Sequence, residues 1–152
     1  MVDLKMILLV EDSTNDVELT IKALANHHLA NEVAVVRDGE EALDYLYRRG
    51  LYSERVAGNP AVILLDLKLP KVSGLEVLRQ IRSDDHLKQI PVVVLTSSQE
   101  EADRTKSYDL GVNAYVVKPI DFHRFVDAVK IVGVFWAVLN EPPAGCVKLV
   151  KT

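Results

Sequence analysis

Five short β-rich apolar runs alternating with longer stretches at helical spacing predict an α/β protein built on a parallel sheet. Three of the runs are nearly unbroken in Val, Ile and Leu, as central strands covered by helices on both faces must be. The 152 residues, 49% hydrophobic and 26% charged, suit one domain with one core.

The first run, Met6 to Val10, gives way at Ser13 to helix-spaced residues over Thr14 to Leu29. Ser13 is of the type that accepts from free helix N–H groups. The second run, Glu32 to Val36, precedes Asp38, a second capping type, and a helix over Gly39 to Arg49. Residues 48–60 then mix Gly50, Gly58, Asn59 and charges, and are expected to form a helix end plus a surface loop. The third run, Ala61 to Leu65, leads to a helix over Gly74 to Arg82, where Leu75, Val77, Leu78 and Ile81 show the three- and four-residue steps. The fourth, Pro91 to Leu95, is followed by Ser98 as a cap, a helix over Glu100 to Leu110, and Gly111 as its C-terminal stop. The fifth, Asn113 to Val117, is followed by Asp121 as a cap and a helix to Leu139. Glu141-Pro142-Pro143 ends that helix, so one domain over 1–140 and a tail over 141–152 are expected, with no output domain following.

Composition narrows the function classes. A net charge of −4 with scattered cations lacks the basic field that nucleic acid requires, so no nucleic-acid partner is expected. Residues 131–139 are apolar but far short of the roughly 20 needed to cross a bilayer, and the polar N-terminus does not read as a signal peptide. No membrane association is expected. A single cysteine, Cys146, excludes an internal disulfide and suits a reducing, cytoplasmic setting.

In an open parallel sheet, ligands sit beyond the carboxyl ends of the strands. Those ends carry Glu11-Asp12, Asp66, Thr96-Ser97 and Lys118-Pro119. With strand order 2-1-3-4-5 they share one rim, and the acids meet where the order reverses. Acids at helix starts are often only caps, but Asp66 precedes the loop Leu67-Lys68-Leu69-Pro70, and Lys118 completes the charge set. Clustered carboxylates need a cation to remain ionised. Mg²⁺ fits, with Asp12 and Asp66 binding directly and Glu11 through water, while the absence of His and Cys at these ends argues against zinc. Asp66, on a rigid strand, is the candidate nucleophile toward phosphorus. The Lys118 ammonium, the Thr96 hydroxyl and the Ser97 N–H are candidates to neutralise phosphoryl oxygens. Lys118-Pro119 is a candidate cis peptide.

These residues resemble the receiver domain of two-component response regulators over roughly Lys5 to Leu139, with Pro70 and Gly74 matching the loop after its phosphoacceptor. The resemblance implies a flavodoxin-like (βα)₅ doubly wound sheet, phosphorylation of Asp66 by a sensor histidine kinase, and Mg²⁺ held also by the Lys68 carbonyl. It implies a switch in which Thr96 moves toward the phosphoryl group and Tyr115 rotates, altering the surface of helix four, strand five and helix five. Lys68 and Ser98 lie where the family tunes dephosphorylation. The long loop after helix two and Val134-Phe135-Trp136 resemble the small regulators that partner bacterial phytochromes. The charge-free stretch Ile131 to Leu139 offers more apolar surface than one helix face buries, which predicts a homodimer through Phe135 and Trp136.

Two other readings use the same residues. A Mg²⁺-dependent phosphohydrolase of the haloacid dehalogenase type wants a second Asp two residues after the nucleophile, where Lys68 stands, and also a cap domain. A phosphate-independent pseudo-receiver would bind partners without chemistry, yet no site residue has been lost.

Overall fold

A computed structural model of the chain describes residues 2–25, 33–119, 121–146 and 148–151, with the side chains of 2–5, 137 and 148–151 left aside. The elements in order are β1 (Val2–Lys5), β2 (Ile7–Val10), α1 (Thr14–Ala25), β3 (Val33–Val36), α2 (Gly39–Tyr47), β4 (Val62–Leu65), α3 (Gly74–Ser83), β5 (Val92–Thr96), α4 (Glu101–Asp109), β6 (Ala114–Val117), α5 (Phe122–Val134) and β7 (Lys148–Lys151). The expected extension of α1 to Leu29 and the start of the second run at Glu32 lie outside the described residues.

Strands β2 to β6 form one parallel sheet in the order β3-β2-β4-β5-β6. Counted among its own members that order is 2-1-3-4-5, the flavodoxin-like arrangement. Every residue of β2, β4 and β5 is buried. Alternate side chains feed two cores, because successive residues of a strand point to opposite faces. Leu8, Val10, Ile63, Leu65, Val92 and Val94 meet Ala42, Leu43 and Leu46 of α2 and Val77, Leu78 and Ile81 of α3. Ile7, Leu9, Val62, Leu64, Val93 and Leu95 meet Val17, Ala23 and Leu24 of α1 and Phe125 and Val129 of α5. Each fully buried Leu or Ile contributes about 1.5–3 kcal/mol relative to exposure, so the central strands are the rigid base of the site.

The expected caps hold at three positions. Ser13 Oγ accepts from the Asp16 N–H at 3.3 Å, Asp38 Oδ1 from Glu41 at 2.7 Å and Asp121 Oδ1 from Arg124 at 3.0 Å. Ser98 is not the capping residue of α4, a position held by Glu100 without a side-chain cap, but its hydroxyl accepts from the Glu100 N–H at 3.3 Å and donates to Asp103 in the first turn. Ser73 caps α3 instead, accepting from the Glu76 N–H at 3.2 Å. Helix α4 also departs from the expected apolar spacing. Its sole buried residue is Ser107, whose hydroxyl donates to the Asp103 carbonyl one turn back in the same helix. Gly111, at φ +83°, ends α4 as expected.

Beyond α5 the chain continues to Leu139 as a wider π turn, closed by the Asn140 N–H on the Phe135 carbonyl at 2.7 Å. The tail expected after residue 140 turns back into the domain. Asn59 donates to the Gly145 carbonyl at 2.8 Å, and β7 pairs antiparallel with β1. The loop after α2 is ordered by Arg55, whose guanidinium donates to the carbonyls of Tyr45, Leu46, Val56 and Gly58 and lies 4.3 Å from the centroid of the Tyr45 ring.

Candidate functional site

The parallel register brings the chemistry-bearing residues side by side. Val10 stands opposite Leu65 and Thr96 opposite Val117. Ladder bonds continue one residue past the strands: the Glu11 N–H reaches Val36 O at 3.0 Å, the Asp66 N–H reaches Val10 O at 3.1 Å, and the Lys118 N–H reaches Thr96 O at 2.7 Å. Backbone pairing, not loop geometry, therefore fixes these side chains.

Asp66 is buried, and both its oxygens are held. Oδ1 accepts from the Thr96 hydroxyl at 2.8 Å and from the Lys68 N–H at 3.2 Å, and Oδ2 accepts from Lys118 at 3.1 Å. The Lys118 ammonium, with a side chain 9% exposed, also pairs with Glu11 Oε1 and with Asp16 Oδ2, the latter at 2.8 Å. Glu11 is itself buried, and its Oε2 has no hydrogen-bond partner.

Burial and crowding set the charges. Burial first, and the neighbouring Asp66 second, push the Glu11 carboxyl up to about 8. Burial works against ionisation of Asp66, but contact with Glu11, the Lys118 charge and the Thr96 hydroxyl together hold it below the usual carboxylate range. Burial would lower Lys118, yet Asp16, Glu11 and Asp66 outweigh it and hold the ammonium charged well above its ordinary value. Of the two acids, Glu11 is thus the one pushed toward its protonated form and Asp66 the one held ionised.

A cation fits this donor set. Glu11, Asp12 and Asp66 each offer a carboxylate oxygen within 4.8 Å of the others, and the orphaned Glu11 Oε2 is a buried acceptor without a donor. The ligands are all oxygen, as a hard divalent ion requires.

Other expected residues fall as follows. Ser97 is exposed directly after Thr96, and Lys68 is exposed beside Asp66. Tyr115 is half-buried against the α2–α3 core, and its hydroxyl donates to the Ser98 carbonyl at 3.0 Å. The Lys118-Pro119 bond is trans, like every described peptide bond, which corrects the cis candidate. Trans is the lower-energy form of an X-Pro bond, and the β6 ladder together with the three acids already draws Lys118 inward. Trp136 packs partly on the α1–α5 core, whereas Phe135 stays 47% exposed. Asp16 was not anticipated. It lies in the first turn of α1, where an acid reads as an ordinary helix-start residue, and no local spacing ties it to Lys118.

Gly74 lets the loop after β4 close over the site. A Cβ there would lie 2.3 Å from the Asp66 carbonyl oxygen.

A carboxylate fixed at the end of a central strand, beside two further acids and a buried ammonium, is the arrangement expected of a receiver domain. The sequence model of the response regulator receiver domain matches residues 7–130, and the chain belongs to that family. It is 42% identical over 140 residues to response regulator Rcp1 of Synechocystis sp., covering 92% of this chain and 94% of Rcp1. The solved Mn²⁺-bound form of Rcp1 superposes with a TM-score of 0.86 at 41% identity, over 92% of this chain and 99% of that one. The phosphorylated cyanobacterial phytochrome response regulator RcpA gives the same TM-score at 46% identity and the same coverage. The bacteriophytochrome response regulator RtBRR is 67% identical, with a TM-score of 0.73, over 93% of this chain and 86% of that one. The chain is a receiver-domain response regulator, homologous to phytochrome response regulators. No helix among the described residues is long and apolar enough to cross a membrane.

Proposed function

We propose that Asp66 is the phosphoacceptor, charged by a sensor histidine kinase of the phytochrome class within the cytoplasm. The carrying observation is the fixed Asp66 carboxylate between Lys118 and Thr96, with Glu11 and Asp12 beside it. An Asp66 oxygen bonds to phosphorus as the P–N bond of the kinase phosphohistidine breaks. The electron pair stays with the imidazole nitrogen, which takes a proton from solvent. Glu11, Asp12, Asp66 and the Lys68 carbonyl would hold Mg²⁺, which supplies positive charge against the phosphoryl oxygens. Lys118 and Thr96 donate to those oxygens, and the Ser97 N–H is a third donor. The protein performs only its own phosphorylation and dephosphorylation, with no separate substrate turned over. The partnership with a phytochrome rests on the relatives RcpA and RtBRR.

Output follows from the bonds around Thr96. Its Oγ1 accepts from the Ser98 N–H at 3.3 Å, the Ser98 carbonyl accepts from Tyr115, and the Ser98 hydroxyl donates to Asp103 of α4 at 2.6 Å. Once Asp66 is an acyl phosphate, the Thr96 hydroxyl takes a phosphoryl oxygen as its new acceptor. Any shift of Thr96 is passed through Ser98 to α4 and β6, where a downstream protein reads it. A homodimer through the end of α5 and the turn that follows it uses Ile131, Phe135, Val138 and Leu139, all exposed, with Trp136 supporting them from the core side.

Intact mass after incubation with acetyl phosphate and Mg²⁺ tests the assignment. One phosphoryl group on the wild type, absent from Asp66→Asn and absent without Mg²⁺, is expected. An unmodified wild type beside an active donor, with no accelerated donor hydrolysis, refutes it in favour of a phosphate-independent module. Continuous release of phosphate without an adduct would favour a phosphohydrolase.

A further inference from the structure

Lys118 meets a carboxylate that phosphoryl transfer leaves without a task. An ammonium has three N–H donors, and here they go one each to Glu11, Asp16 and Asp66. Two of those acceptors change state when the site works. Asp66 becomes an acyl phosphate, and Glu11 belongs to the group of acids close enough to share a cation. Asp16 stands outside that group, and nothing in the reaction removes its bond to Lys118.

Asp16 is also well fixed. It lies in the first turn of α1, its N–H bonded to Ser13 Oγ at 3.3 Å and its carbonyl accepting from the Thr20 hydroxyl at 2.7 Å. Those bonds involve its backbone, so replacing the side chain leaves the helix start intact. Its Oδ2 approaches Lys118 at 2.8 Å, against 3.1 Å for Asp66. An exposed ion pair would be a minor surface contact. This one ends on an ammonium whose side chain is 9% exposed, so its geometry constrains a buried donor.

We propose that Asp16 is a positioning residue. It fixes the rotation of the Lys118 ammonium, so that one N–H stays aimed at the Asp66 Oδ2 side, where a phosphoryl oxygen arrives. Charge-assisted bonds of this kind are short and directional. Without Asp16 the ammonium turns freely toward Glu11, and the donor must be re-aimed in each phosphorylation. The role rests on Asp66 being the phosphoacceptor.

Initial rates of phosphorylation by acetyl phosphate at saturating Mg²⁺ are compared for wild type, Asp16→Asn and Asp16→Ala. Thermal unfolding of each is recorded in parallel. The asparagine amide oxygen still accepts from Lys118 at the same reach, whereas alanine offers nothing. Asp16→Ala is expected to fall about tenfold, equivalent to about 1.4 kcal/mol in the barrier. Asp16→Asn is expected to stay within about threefold of wild type, with all three proteins melting within a few degrees of one another. A purely structural ion pair would not give rescue by the uncharged acceptor. Asp16→Ala at the wild-type rate overturns the role, as does equal loss in both variants, which would assign the effect to charge alone. Asp16→Ala that is slow only in proportion to a lowered melting temperature overturns it too. A wild type that takes up no phosphoryl group fails the Asp66 reading and this one with it, whereas a competent wild type isolates Asp16.

Discussion

Gly39→Ala probes how α2 meets the loop that carries the phosphoacceptor. Alanine is favoured over glycine in helices by about 1 kcal/mol, so at an open first turn of α2 the substitution would stabilise the protein. Here a Cβ on Gly39 would lie 1.9 Å from the Val72 carbonyl oxygen and 2.7 Å from the Val72 carbonyl carbon, where ordinary contact begins at 3.4 Å. The obstacle is backbone, which cannot rotate aside, so α2 and the loop must separate by about 1.5 Å at this point. The Gly39 N–H also donates to Pro70 O at 3.4 Å, and that bond goes with the separation. Overpacking costs typically about 1–3 kcal/mol, and the upper part of that range applies because the wall is main chain. At about 2–4 °C per kcal/mol for a domain of this size, the melting temperature should fall by roughly 5–10 °C. Differential scanning calorimetry of wild type and variant measures it. Because the displaced segment runs back through Lys68 to Asp66, phosphorylation by acetyl phosphate should slow as well. A variant that melts at or above the wild-type temperature would refute the close approach, since the intrinsic preference then acts unopposed.

The raised Glu11 makes the metal-free protein lose stability as pH rises. Its carboxyl holds a proton up to about 8 in the folded state and releases it near 4.5 when unfolded. Stability from Glu11 is therefore complete below about pH 4.5 and declines toward pH 8, by an amount on the order of a few kcal/mol. Asp66, lowered in the fold, acts in the opposite sense and loses its contribution only at acid pH. Urea unfolding in a metal chelator at about pH 5 and about pH 8 should show a decline for wild type that Glu11→Gln largely removes; parallel pH profiles would sink the assignment. Removal of the α3 cap by Ser73→Ala should cost about 1 kcal/mol in the same assay, and no loss would mean the 3.2 Å bond to Glu76 contributes nothing. For the α5 face, sedimentation velocity at high concentration should show a dimer for wild type and a monomer for Phe135→Ala. A monomeric wild type, phosphorylated or not, would exclude association through Ile131, Phe135, Val138 and Leu139.

The sheet and its rim were legible in the primary structure because both depend on local period and strand-end position. Runs such as Val62-Ile63-Leu64-Leu65 have one reading in a parallel sheet, and whatever follows them must stand at its carboxyl edge. So the sequence by itself brings Glu11, Asp66, Thr96 and Lys118 to one rim. Helix α4 stands where the sequence places it, within a residue at each end, but it lacks the expected apolar period, since Ser107 is its sole buried residue. Tertiary structure alone decided three things. It assigned the three donors of Lys118, including the one to Asp16, because the direction of a side chain depends on which acceptors the packed helices bring within reach. It turned the segment after residue 140 back to pair with β1, since pairing between strands at opposite ends of the sequence, Val2 with Lys151 and Lys5 with Lys148, leaves no local signal. It divided Phe135 from Trp136, adjacent aromatics of one apolar stretch, because the turn of the helix puts one ring toward the α1–α5 core and leaves the other toward water.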